Sequence, residues 1–318
     1  MPSLSRAVLA IALTLSALFA QAKVQKLDVR ILSTMLADDD GFGEWGFAAL
    51  VVADGHRILF DTGAHEDTVL RNLKELNVSL ADVPDVILTH HHADHTSGLV
   101  TLRREISKTN PAALARTHVA TGIFAARTTD AGKPLTTVLN VKRDYEAAGG
   151  KFIEYSSPRE IYPGVWLTGP VPRKYPERNW SGRQLLVLPG GKTTEDNLPE
   201  DQALIIDTAK GLVVITGCGH AGIVNISDYA RARVRNAPLH AIIGGIHLFN
   251  ASDESLNFTA SKFKEFGLQN LVGAHCTGIE SLYRLRQLSG LTRNTAVVGA
   301  VGAGFSLDRG IAPGSIAK

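Results

Sequence analysis

The chain is short of cysteine. Its 318 residues carry only Cys218 and Cys276, which excludes a scaffold stapled by several disulfides and leaves at most one such bond. Aromatic residues are scarce at 6%. No Lys/Arg stripe interleaved with aromatics appears, so nucleic acid is not an expected partner. The 33 Lys and Arg nearly balance 31 Asp and Glu, a formal net charge of +2, and that balance selects no particular partner. Beyond the N-terminus no apolar run approaches the ~20 residues a membrane span needs. With 44% hydrophobic and 20% charged residues, the remainder has an ordinary globular balance.

The N-terminus reads as a targeting segment. Arg6 supplies a positive charge, Ala7 to Phe19 is uncharged and apolar, and Ala20-Gln21-Ala22 has the small-x-small pattern of a cleavage site. The expectation is a secretory signal over residues 1–22, cleaved after Ala22, leaving 23–318 as a single domain exported to a bacterial periplasm. An uncleaved membrane anchor is the alternative, and the run is short for it. An exported protein can pair its cysteines. Here each lies within two residues of a histidine, Cys218 before His220 and Cys276 after His275. A disulfide, site thiols and buried apolar side chains all remain open.

What the chain does have is histidine concentrated in one place. Leu88-Thr89-His90-His91-His92-Ala93-Asp94-His95-Thr96-Ser97-Gly98 follows the apolar run Val86-Ile87-Leu88 and holds four of the 11 His. The apolar run reads as a buried strand, and open α/β sheets place ligands at strand C-termini. On extended chain His90 and His92 project to one side and His91 to the other. Asp94 and His95 then turn toward a second point. Imidazole with carboxylate suits zinc, iron or manganese better than calcium or magnesium.

The same placement recurs along the chain. Phe47–Ala53, Asp54-Gly55 and Arg57–Phe60 read as a hairpin ending in Asp61-Thr62-Gly63, with Asp61 expected to cap a helix over about 65–76. Leu99–Ile106 has a helical pattern, 110–134 is irregular, and 142–149 reads as a short helix. Pro and Gly punctuate 169–191, as in a lid or substrate loop. Ala203–Asp207 and Leu212–Thr216 form a second hairpin ending in Gly217-Cys218-Gly219-His220. Strands at 239–243 and 271–273 end near His247 and His275, and helices follow at 223–235, 252–266 and 279–288. A last strand begins at Val297, with a Gly-rich tail. Asp61, His90 to His95, His220, His247 and His275 therefore fall on one expected rim, in one domain of two similar halves.

These residues resemble the metallo-β-lactamase superfamily. His90-x-His92-x-Asp94-His95 matches its His-x-His-x-Asp-His signature, Phe60-Asp61-Thr62-Gly63 its first motif, and His275 its last ligand motif. A narrower resemblance rests on Gly169-Pro170-Val171-Pro172-Arg173, on 216–223, on Gly244-Gly245-Ile246-His247-Leu248 and on His275-Cys276-Thr277-Gly278. It points to the branch of dihydropterin–ribofuranosylaminobenzene phosphate synthase-like metal-dependent hydrolases. The resemblance implies an α/β fold, a four-layer αββα sandwich, with one or two divalent metals, zinc first and iron or manganese as alternatives. It implies one metal on His90, His92 and His220 and a second on Asp94, His95 and His275, with Asp61 holding the signature loop. The chain departs from the family where a bridging Asp is usual, for Thr216-Gly217-Cys218 stands there. Cys218 replaces that bridge, or the bridge is missing, or His220 takes a shifted role.

The implied activity is hydrolysis of a small ester, lactone, lactam or phosphoester by metal-activated water, with Asp94 as ligand and proton acceptor. His247 is expected as a substrate or proton-transfer group, with a buried hydrogen-bonded His as the alternative. A pterin-phosphate synthase-type transfer on the same site and a non-enzymatic metal-binding role are the competing functions. Arg173 reads as a solvated loop charge, with contact to an anionic substrate as the alternative. His65 and His118 have no expected role, and oligomeric state is not readable.

Overall fold

The computed structural model describes residues 23–180 and 182–317; the expected signal segment lies outside them. The first half runs β1 (Leu27–Ser33), β2 (Ala48–Ala53), β3 (His56–Phe60), α1 (Thr68–Glu75), β4 (Asp85–Ile87), α2 (Ala93–Thr96), α3 (Leu99–Ile106), β5 (Arg116–Ala120), β6 (Arg127–Thr129), β7 (Pro134–Leu135), α4 (Thr137–Ala147) and β8 (Lys151–Tyr155). The second runs β9 (Arg159–Tyr162), β10 (Val165–Leu167), β11 (Gln184–Val187), β12 (Thr193–Glu195), β13 (Leu204–Thr208), β14 (Gly211–Thr216), α5 (Ile223–Arg233), β15 (Leu239–Gly244), α6 (Asp253–Glu265), β16 (Asn270–Gly273), α7 (Ile279–Leu288), β17 (Ala296–Val298), β18 (Gly304–Ser306) and β19 (Gly310–Ala312).

Two large sheets form, ordered β19-β18-β1-β2-β3-β4-β5-β8 and β17-β16-β15-β14-β13-β10-β9, beside a smaller third one. Each half opens with an antiparallel hairpin, β2–β3 or β13–β14, and continues with parallel strands joined through helices. The strand period of two sets the layering. On β3, Ile58 and Phe60 face the other sheet, packing in one core with Val29, Val51, Ile206, Val213, Ile215 and Ile243. Leu59 faces outward into a second core with Val69, Leu73, Leu102 and Tyr145. On the far side Ile205, Val214 and Ile242 meet Ile223, Leu256, Phe263 and Leu285. Helix, sheet, sheet, helix is the αββα arrangement. No helix among the described residues is long and apolar enough to cross a membrane.

The first hairpin turn forms as its chemistry requires, with Asp54 and Gly55 both at positive φ. Ser252 caps α6 by accepting from the Ser255 N–H. Asp61, by contrast, is not a helix cap. α1 begins at Thr68 after Asp67, and the Asp61 carboxylate turns inward. The chain after Val297 does not simply trail away, because β18 and β19 extend the first sheet beside β1. β5 lies in the segment expected to be irregular. Its buried positions include the polar residues Thr117 and His118, and His118 is satisfied by a distant partner, Asp85, which accepts from His118 Nε2 at 2.9 Å. Part of the 169–191 segment joins a small sheet, β12-β11-β6-β7.

Glu177, in that segment, binds the N-terminus of α5, accepting from the N–H groups of Val224 (3.1 Å) and Asn225 (2.8 Å). Burial outweighs these bonds and raises its pKa from 4.5 to about 7. The folded chain therefore keeps a proton that the unfolded chain has released, and stability falls as pH rises through that window. Glu177→Gln removes the titration. Thermal melts should show the variant gaining on the parent as pH rises from 4.5 to about 7; a constant gap contradicts this account.

Candidate metal centre

The clusters converge at the C-terminal ends of β3, β4, β14, β15 and β16, as their placement after apolar runs implied. The backbone there is held in an unusual state. Asp61, His247 and His275 are non-glycine residues at positive φ (54°, 49° and 47°). Such conformations cost on the order of 1–3 kcal/mol each and cluster at functional sites.

His90, His92 and His220 form one donor set, with ligand atoms within 4.8 Å of one another. Two of these rings are oriented from behind. Thr89 Oγ1 contacts His90 Nδ1 at 2.9 Å, and His220 Nδ1 donates to the Asn179 carbonyl. His220 Nε2 is left without a partner, and His90 Nε2 faces His92 Nδ1 at 3.1 Å. Asp94, His95, His275 and Cys218 form a second set within the same limit. α2 carries Asp94 and His95 into it. His95 Nε2 lies 3.1 Å from Cys218 Sγ, and His275 Nε2 lies 3.2 Å from Asp94 Oδ2. Cys218 also groups with His220 and His247, so its sulfur stands between the two sets, where the bridging group was expected.

Asp61 ties the loop to the first sheet. Oδ1 accepts from the Thr89 N–H at 2.8 Å; Oδ2 accepts from the Thr89 hydroxyl at 2.9 Å and from His95 Nδ1 at 2.7 Å. Gly217 packs on this knot, and a Cβ there would collide with Asp61 Oδ2 and Thr89 Oγ1. His91 points elsewhere. It meets Glu200 at 2.7 Å and Gln184 at 2.9 Å, while Arg127 donates to both Asp196 (2.6 Å) and Glu200 (2.7 Å). This buried network fastens the small sheet to the signature loop. Its partners lie 69 to 109 residues apart in sequence, and nothing in the local pattern signals them. Arg173 is not a solvated charge: it is partly buried, donates to the Asn197 and Leu198 carbonyls and lies over Trp180. Glu44 is buried and accepts from Ser33 at 2.5 Å and from the Ala64 and His65 N–H groups. It fixes the loop that sets Trp45 edge-on to His275, with centroids 5.2 Å apart.

The electrostatics fit a divalent cation. Burial first, then the neighbouring imidazoles, push His90 and His220 well below the usual histidine range, and His92 down to about 3. They are thus neutral, the form that binds metal. Burial opposes charge on Asp94 as well, yet His95 and His275 hold its carboxyl below the usual range. Burial opposes charge on His95, but the carboxylates of Asp61 and Asp94 raise it to about 9. His220 Nε2, His247 Nδ1 and both ring nitrogens of His275 are buried without a hydrogen-bond partner. Orphaned polar atoms of this kind need an explanation, and cations meeting the lone pairs of His220 Nε2 and of one His275 nitrogen supply it for those two rings.

A family model for the metallo-β-lactamase superfamily matches residues 46–234. The chain belongs to the metallo-β-lactamase superfamily. Within it, the chain is 30% identical over 273 residues to a 7,8-dihydropterin-6-methyl-4-(β-D-ribofuranosyl)-aminobenzene-5′-phosphate synthase of Methanocaldococcus jannaschii, covering 81% of this chain and 91% of the relative. It is also 30% identical over 275 residues to an uncharacterized protein of the same organism, covering 86% of this chain and 98% of that one. A solved metal-dependent hydrolase of the β-lactamase superfamily superposes with a TM-score of 0.71 at 25% identity, covering 88% and 98% of the two chains. The superfamily binds divalent metals, and the two groups of His, Asp and Cys side chains could hold them.

Asp61→Asn preserves the backbone, since Asn tolerates positive φ, but weakens the grip on His95. Competition with a chromophoric chelator should show metal affinity falling by roughly 10- to 100-fold, with an unchanged circular dichroism spectrum. Unchanged affinity would show that the His95 contact does not tune the centre.

Proposed function

We propose that the chain is a metal-dependent hydrolase of small esters, lactones, lactams or phosphoesters, with one or two zinc ions on His90, His92 and His220 and on Asp94, His95 and His275. The sulfur of Cys218, lying between the two sets, favours zinc over harder metals. The observation that carries the reading is the convergence of two donor sets beside a cavity of about 480 Å³, lined by Asn179, Trp180, His247, Phe249 and Phe258 among others. When bound, the metals supply Lewis acidity and lower the pKa of water toward ~7.

The chain's own residues do the rest. The Asp94 side chain is 23% exposed and is held ionised by His95 and His275, so it can accept a hydrogen bond from the attacking water and orient it. His247 is half-buried between His220, at 4.5 Å between ring centroids, and the cavity, where it can pass a proton to a leaving group. Phe249 lines the cavity and packs edge-on against Trp45 at 5.5 Å, giving the substrate an apolar surface beside the centre. The leader ending in Ala20-Gln21-Ala22 supports export as part of this reading. A second reading, group transfer of the synthase kind on the same centre, is favoured by the 30%-identical relative. Binding of a reduced pterin to the purified chain separates the two.

His92→Ala should remove metal from the first donor set and most activity against a panel of such esters, a loss of several orders of magnitude in kcat/KM. Chelation of the parent should do the same, and zinc should reverse it. Full activity in chelated, metal-free protein sinks the hydrolase reading.

A further inference from the structure

The chain's only two cysteines meet at this centre. Cys218 follows β14 and Cys276 follows β16, strands separated in the sheet by β15. Their sulfurs nonetheless lie 3.3 Å apart, both buried and not bonded to each other. Gly245, just past β15, makes the approach possible, since a Cβ there would sit 2.9 Å from Cys276 Sγ. Cys276 is in neither donor set; its sulfur faces Cys218, and Cys218 in turn faces His95 at 3.1 Å.

We propose that Cys218 and Cys276 form a reversible disulfide, and that closing it withdraws Cys218 from the metal centre. A bonded pair sits at about 2.05 Å, so the sulfurs need to approach by only ~1.2 Å from their 3.3 Å contact. With a peroxide as oxidant, one sulfur attacks the O–O bond and becomes a sulfenic acid as water leaves. The second sulfur displaces the hydroxyl, the S–S bond forms and a second water leaves. Two thiols and one peroxide thus give one disulfide and two waters, with two electrons passing to the peroxide. Cys218 then has no thiolate to offer. His90, His92 and His220 keep a complete set, whereas Asp94, His95 and His275 lose their sulfur, so closure weakens one site and spares the other. The metal half of this inference rests on the hydrolase reading; the sulfur half does not.

The test uses the full mature chain stripped of metal. It is treated with hydrogen peroxide, alkylated under denaturing conditions, mapped by mass spectrometry and titrated with zinc. The reduced chain should label at both cysteines. The treated chain should label at neither, yield a cross-linked Cys218–Cys276 peptide, and lose affinity at one zinc site by on the order of tenfold or more. Dithiothreitol should restore both labelling and affinity. Two thiols that stay open to alkylation overturn the proposal, as do sulfinic acids without a cross-link. A cross-link that leaves zinc binding unchanged overturns the coupling. If the reduced chain binds no zinc, the metal reading fails while the cross-link still judges the cysteine pair.

Discussion

Four imidazoles crowd into one largely buried space. The rings of His90, His92, His95 and His220 lie with neighbouring centroids 4.3 to 5.0 Å apart, and His275 stands 5.0 Å from His95. Burial keeps His90, His92 and His220 neutral; His90 Nε2 and His92 Nδ1 meet at 3.1 Å, while His220 Nε2 and the ring nitrogens of His275 have no hydrogen-bond partner. A folded chain left that way carries a penalty of about 1–3 kcal/mol for each unsatisfied polar atom. The arrangement is stable with a cation at its centre and costly without one. The strand ends, the residues at positive φ and the hydrogen bonds behind the rings all serve to hold these lone pairs together.

Each sheet contributes one part of this cage. The first supplies the signature loop, locked by Asp61 to Thr89 and His95. The second supplies His220, His247, His275 and Cys218 from three parallel strand ends. Because the core between the sheets is continuous from Val29 and Phe60 to Ile215 and Val272, the two parts are fixed relative to each other. The His91–Glu200–Arg127–Asp196 network adds a third fixed body, the small sheet. The metal-binding side chains therefore sit at the ends of rigid elements, while the cavity beside His247 is bounded by the 176–180 and 247–252 loops and the first turns of α6.

Much of the site was legible because its signals are local. His90 to His95 lies within six residues after an apolar strand, and hairpin turns and caps such as Asp54-Gly55 and Ser252 use only their neighbours. What was misread depends on distant partners. Asp61 looks like a helix cap because Thr-Gly follows it, but its preferred donors lie 28 and 34 positions away. β5 does not read as a strand because Thr117 and His118 interrupt its apolar pattern, and only the fold brings Asp85 to His118. His91 was expected to turn from the metal ligands and does, yet its buried partner Glu200 is 109 positions away. The departure at Cys218 was visible in the sequence, as was the possibility that its sulfur replaces the bridge; choosing among the three readings takes the contacts made by separate strand ends.

Anomalous diffraction across the zinc edge, on crystals of the reduced chain with elemental analysis of the same preparation, tests the central claim most directly. The account predicts metal surrounded by His90, His92 and His220, and a second peak about 3.5–4 Å away among Asp94, His95 and His275, with Cys218 between them. A chain that shows no metal in either set, with its buried imidazoles satisfied by water or by one another, would contradict it.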